Sequence, residues 1–179
     1  MVSKMIGDSR LVRGAAVLAA ILSGAAIVGT EAGAQTRTER FFDDWNVQCV
    51  EREDGVKRCR MSQALVRANP RREVFRWVVV ANQEAELENI LSAPVGVALR
   101  PGVELQVEGA EPIPVPYEVC GRQWCQARVT MVAAVVDTMA AGNPVQVTYV
   151  TQRGQRLSME VTARGYRDAL DYLQSELGS

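Results

Sequence analysis

The most reactive side chains in this 179-residue chain are four cysteines, Cys49, Cys59, Cys120 and Cys125, and there is no histidine. Without histidine the usual general base, the commonest metal ligand and every Ser-His or Cys-His nucleophile pair are gone. A metal site would have to be built from carboxylates alone or from thiols. In an exported chain an even number of cysteines reads as two disulfides, with three connectivities open. No catalytic residue, metal or cofactor is therefore expected. The Cys120-x4-Cys125 spacing also differs from the Cys-x-x-Cys of thiol oxidoreductases, in which a helix N-terminus lowers the thiol pKa. Carboxylates group at Asp43-Asp44, at Glu51, Glu53 and Asp54, at Glu84, Glu86 and Glu88, and at Glu108 and Glu111. Each group lies in polar, turn-like or alternating sequence, which makes a solvated face. A general acid/base pair needs two carboxylates held in different environments. No Gly-rich phosphate loop and no Gly-x-Ser-x-Gly is present.

Two features are candidates for binding rather than catalysis. Arg67, Arg71, Arg72 and Arg76 surround Asn69-Pro70, in a loop that leads into a strand. Guanidinium groups in that arrangement suit an anionic glycan, a lipid headgroup or an acidic partner. The same charges also keep a loop soluble and guard a strand edge. Trp124 sits at the tip of a short turn between two cysteines. Exposed, it is a rigid aromatic anchor; folded back, it covers the disulfide or the core.

These residues must be positioned by a chain that begins with an export pattern. Lys4, Arg10 and Arg13 precede an uncharged apolar run from Gly14 to Gly29, and Ala32-Gly33-Ala34 follows as a small-x-small cleavage signature. The run is shorter than the roughly 20 residues that span a bilayer core. Residues 1–34 are thus expected to be a cleavable signal peptide and residues 35–179 a single domain with no transmembrane segment. Cys49 lies far beyond the cleavage point, so no N-terminal thiol is available for lipid attachment. The chain carries 20 basic and 21 acidic side chains. So even a balance gives no electrostatic reason to expect a nucleic acid partner.

From Trp45 the hydrophobic period is two. Trp45, Val47 and Cys49 point one way, and Cys59 and Met61 continue on the returning strand. A three-residue loop at Glu53-Asp54-Gly55 sets residue 49 opposite 59, and a four-residue loop at Gly121–Trp124 sets Cys120 opposite Cys125. Opposed residues on antiparallel strands are close enough for a disulfide. Cys49–Cys59 and Cys120–Cys125 are the pairings this predicts. Residues 35–42, polar and charged, read as a frayed arm. Glu73–Ala81 reads as a strand buried on both faces. Leu87–Leu91, Val97–Leu99, Val103–Val107 and Gln126–Met131 read as further strands. Pro112–Pro116 belongs on an edge or in a crossing loop. The alanines of 132–141 and the stop at Gly142-Asn143-Pro144 favour a short helix. Val145–Tyr149 and Leu157–Val161 form a hairpin. Tyr166, Ala169, Leu170, Leu173 and Leu177 line one face of an amphipathic helix. The fold class is mainly β: an antiparallel β-sandwich with a C-terminal amphipathic helix and room for one short internal helix.

The order of these pieces resembles the invasion-associated locus B (IalB) family of exported bacterial proteins. The matching residues are Trp45-x-Val-x-Cys49; Cys59 with Met61 and Gln63; Pro94-Val95-Gly96-Val97-x-Leu99 with Gly102-Val103; Tyr117-x-x-Cys120; Cys125-x-Ala127; and Gly165-Tyr166-x-x-Ala169-Leu170. The chain departs at Ala93-Pro94-Val95, where family members more often have Leu on both sides of the proline. The resemblance implies a periplasmic or outer-membrane-associated protein, linked in some members to host-cell invasion and without an established enzymatic activity. The expected function is non-enzymatic binding of another envelope or host component, an unknown protein or cell-surface molecule, compatible with peripheral association with the envelope. The alternative is an envelope enzyme or thiol–disulfide helper that uses a carboxylate pair or a labile disulfide.

Overall fold

The computed structural model describes residues 36–51, 53, 55–81, 86–130 and 132–177. The expected signal peptide lies outside them, as do Asp54 and Glu84. Two antiparallel sheets hold the chain. The larger orders its strands β1 (Thr36–Phe42), β2 (Trp45–Glu51), β3 (Lys57–Arg67), β4 (Arg72–Ala81), β5 (Leu87–Pro94), β9 (Trp124–Thr130) and β8 (Tyr117–Cys120). The smaller runs β11 (Arg156–Val161), β10 (Val145–Val150), β6 (Val103–Gln106) and β7 (Ile113–Val115). The proline-flanked β7 is an edge strand, as its missing N–H donors require.

Period-two sequence makes the core. Trp45, Val47 and Cys49 on β2, Met61 on β3, Phe75, Trp77 and Val79 on β4 and Leu91 on β5 all point inward and are buried. They meet Val103 and Leu105 of β6 and Val145, Val147 and Tyr149 of β10 in one cluster. The remainder of that inner face is covered by helix α2 (Tyr166–Leu177), which buries Tyr166, Ala169, Leu170 and Leu173. A short helix α1 (Ala133–Ala140) links the sheets, and the chain leaves it through Gly142 at φ +88°.

The loop arithmetic fixes both staples. Cys49 lies opposite Cys59 in the β2–β3 register and Cys120 opposite Cys125 in the β8–β9 register. Each pair is joined by a disulfide. The second closes only a five-residue separation, which corresponds to about 2 kcal/mol of chain entropy. Its turn is also tied by Gly121 N donating to Trp124 O (2.8 Å) and Val95 N to Gln123 O (3.0 Å). Replacing Cys120 and Cys125 by alanine is therefore expected to lower the urea midpoint while leaving unfolding cooperative. Loss of the cooperative transition would show that the staple is indispensable.

Three expectations are corrected. Residues 36–42 are no frayed arm but strand β1, paired with β2 along its whole length. Edge strands tolerate polar sequence, and here the contacts with the helix come from Arg40, whose guanidinium carbon is 4.9 Å from the centre of the Tyr172 ring, and from Phe42 at 5.5 Å. Val97–Leu99 is not a strand. Gly96 (φ +98°) turns the chain from one sheet toward the other, and only Val97 makes a bridge, to Thr151. Strand β4 is not covered on both faces. Val78 and Val80 face away from the core, are half-buried, and lie opposite Ile90 and Arg60 on the neighbouring strands.

One polar joint fastens α2 to the large sheet. Trp45 Nε1 and Gln63 Nε2 donate to Thr162 O (3.0 and 3.2 Å), and Thr162 N donates to Gln63 Oε1 (3.0 Å). Thr162 Oγ1 and Arg164 then donate to Asp44. Those hydrogen bonds, Arg164's first, hold the Asp44 carboxyl below its ordinary pKa. Every heteroatom of the buried Gln63 amide is thereby satisfied, as burial demands.

Candidate functional site

The expected binding residues come together at one set of loops. Arg67 and Arg72 face each other directly across the β3–β4 ladder, with Arg71 in the turn between them, beside the cis Asn69–Pro70 bond. Like charges directly opposed on a sheet destabilise it, and no carboxylate among the described residues pairs with either. Arg76 behaves differently. Its guanidinium grips Glu73 in a bidentate pair (both 2.6 Å), and its central carbon lies 5.8 Å from the centre of the Trp124 ring, within cation–π range. Trp124 is half-buried: its ring neither stands free nor enters the core.

Backbone hydrogen bonds bring further loops to this place. Val95 N donates to Gln123 O (3.0 Å), Gln152 N to Gly96 O (2.8 Å) and Ala98 N to Val150 O (2.8 Å). Tyr149 Oη donates to Val74 O (3.0 Å), tying β10 to the start of β4. Burial pushes the Tyr149 pKa up, while the charges of Arg72 and Arg67 pull it the other way. The laced loops add Arg100, Arg122 and Arg153, all exposed. Sequence reading missed these three because they are far apart in the chain. The available signal was that each stands in a Gly-containing turn, at Arg100-Pro101-Gly102, Gly121-Arg122 and Arg153-Gly154. Across segments 66–76, 94–102, 121–124 and 150–155 the sole carboxylate is Glu73. Among the described residues Arg67, Arg71, Arg72, Arg100, Arg122 and Arg153 form no ion pair.

The outward face of the large sheet offers less. A hollow of about 490 Å³ there is lined by Glu39, Asn46, Gln48, Arg60 and Val78 among others. Four of its polar groups already satisfy one another. Asn46 and Gln48 donate to Glu39 (2.9 and 2.6 Å), and Arg60 donates to Gln48 (2.9 Å). Those bonds, Gln48's first, lower the Glu39 pKa. One trio of metal-ligand types also converges among the described residues: Cys49, Cys59 and Glu176. Its two sulfurs are spent in the disulfide and Glu176 pairs with Lys57. A thiolate is needed to bind a metal, so the trio does not fit one in this state.

The model of the family described as "Invasion associated locus B (IalB) protein" matches residues 45–174. The chain belongs to the IalB family. The match starts at the core Trp45 and runs into α2, so it takes in both disulfides and all the arginine loops. The crystal structure of invasion associated protein B from Bartonella henselae superposes on this IalB chain with a TM-score of 0.68 at 22% identity. The superposition covers 79% of this chain and 97% of that one, which establishes a shared fold. No curated protein matches the chain. Two disulfides and IalB membership point to an exported envelope protein, and no helix among the described residues is long and apolar enough to cross a membrane.

Proposed function

We propose that this IalB-family protein is exported by its leader and acts in the periplasm or at the outer membrane by binding, without catalysis, through its arginine loops. The observation that carries this reading is the set of exposed arginines brought together from four loops with no ion pair among the described residues. A solubilising role needs charge, but not charge of one sign gathered in one place. Arg67 opposite Arg72 raises the energy of the free protein, and an anionic partner relieves it.

Site-specific photo-crosslinking in intact cells tests this. Probes at Arg71 and Trp124 are expected to give the same discrete adduct, and a probe at exposed Asn143 is expected to give none. Equal labelling from all three positions, or none from the first two, would remove the arginine loops as the binding surface.

A further inference from the structure

We infer that the component bound by the arginine loops is the phosphate-bearing surface of an anionic lipid bilayer. This rests on the binding reading above and adds an observation independent of charge. Six large hydrophobic side chains stand exposed among the described residues: Phe41, Val56, Val66, Val95, Leu99 and Val119. Four of the six belong to the arginine end. Val66 precedes Arg67, Leu99 precedes Arg100, Val95 donates its N–H to the Arg122 turn, and Val119 lies two residues before that turn. Leu99 is 56% exposed and Val66 50%.

Charge and apolar surface interleaved on strand ends and turns at one end of the sheet match a bilayer surface layer by layer. Guanidinium groups meet phosphates at headgroup level, the aliphatic tips enter the interfacial region, and a half-buried Trp suits the boundary between them. A single small anion leaves part of the set unused, because Arg100, Arg122 and Arg153 stand on three other turns than the Arg67–Arg72 hairpin. The hollow beside them, lined by Val119, Arg122, Trp124 and Gln126 among others, is about 490 Å³ and open to solvent. Soluble acidic protein would satisfy the arginines but leave the aliphatic tips without a purpose.

The test is co-sedimentation of the protein with vesicles of phosphatidylcholine alone and of an equimolar phosphatidylcholine/phosphatidylglycerol mixture. At about 0.1 M salt charges act over about 10 Å. The protein is expected to partition to the anionic vesicles and not to the neutral ones. Each arginine near an anionic leaflet is worth roughly fivefold, so the Arg67→Gln/Arg71→Gln/Arg72→Gln variant is expected to bind on the order of 100-fold more weakly. Val66→Ser/Leu99→Ser removes apolar tips and leaves the charge. It is expected to weaken binding roughly tenfold, with the salt dependence unchanged. All five positions are exposed, and unchanged thermal unfolding will show that the variants fold. Equal binding to both vesicle types, no binding, or indifference to the triple variant overturns the inference. If vesicles fail while the Arg71 and Trp124 probes still give one protein adduct in cells, the lipid assignment falls and the binding reading stands. Loss of both results removes both.

Discussion

Alanine at Gly165 is expected to destabilise the fold by about 4 kcal/mol, a loss at the exceptional end for a single substitution. Two causes add. Gly165 holds φ at +76°, a region that costs an L-residue roughly 1–2 kcal/mol. In addition, a Cβ placed there would lie 2.0 Å from Phe42 O and 2.5 Å from its carbonyl carbon. Those are backbone atoms of the β1–β2 turn and have no rotamer to escape by. Either that turn or the start of α2 must move, and both are held by the joint of Thr162, Arg164 and Asp44. Gly154 is the internal control. It has φ +78°, and a Cβ there would meet nothing within 4 Å, so Gly154→Ala is expected to cost about 1 kcal/mol, the dihedral contribution alone. Urea unfolding of the two variants separates the two contributions. Equal losses would mean that the close approach to Phe42 does not matter. A domain of this size has only about 5–15 kcal/mol in hand.

Gly165 also shows how a sequence motif can be read before its reason is visible. In Gly165-Tyr166-x-x-Ala169-Leu170 the spacing of Tyr166, Ala169 and Leu170 announces a helix face, and α2 buries all three. Nothing local says that the preceding glycine abuts a turn more than a hundred residues earlier in the chain. Gly102 behaves alike, since its Cβ would meet Val115 O at 2.2 Å. Both disulfides were legible because each closes its own hairpin, so loop length alone sets the register. The errors on β4 and β1 have separate causes, and the first is that burial on a sheet depends on what covers it. EVFRWVVVA reads as doubly buried from its apolar run, yet the second face of β4 meets no covering layer among the described residues. Polar β1 reads as unstructured because its pairing is backbone to backbone and leaves no apolar signature.

The proposed binding surface is half legible for a related reason. Arg67, Arg71, Arg72 and Arg76 are neighbours in sequence and were visible as a cluster. Arg100, Arg122 and Arg153 join them only because antiparallel strands return the chain to the same place. Turn 68–71, the chain leaving β5 and turn 121–123 share an end of the large sheet by strand direction, and the β10–β11 turn is tied to them through Gly96. Near-neutral net charge says nothing about such segregation. The total is −1, while these loops carry one carboxylate against seven arginines, Arg76 included. Net charge governs solubility, but local charge governs what a surface attracts.

Trp45 is where the core and the joint coincide, and Trp45→Ala is expected to cost about 4 kcal/mol. The side chain is fully buried. Its ring meets Trp77 at 6.4 Å and Tyr166 at 5.2 Å between centroids, both edge to face. It thus bridges β2, β4 and the first turn of α2. Truncating a buried Trp leaves a cavity that rigid strands cannot fill, with a typical loss of about 3–5 kcal/mol. The hydrogen bond is the smaller part. Thr162 O also accepts from Gln63 Nε2 at 3.2 Å, so losing the indole donor does not orphan that carbonyl. Trp45→Phe keeps most of the packing and is expected to cost about 2 kcal/mol. Denaturant midpoints by circular dichroism measure both. If the two variants lose equally, the hydrogen bond and not the aromatic packing holds α2 to the sheet. Phe at position 45 leaves the arginine loops untouched, so that variant is expected to retain wild-type partitioning to anionic vesicles. A matching loss of vesicle binding would show that the loops are held in place from the core by the position of α2.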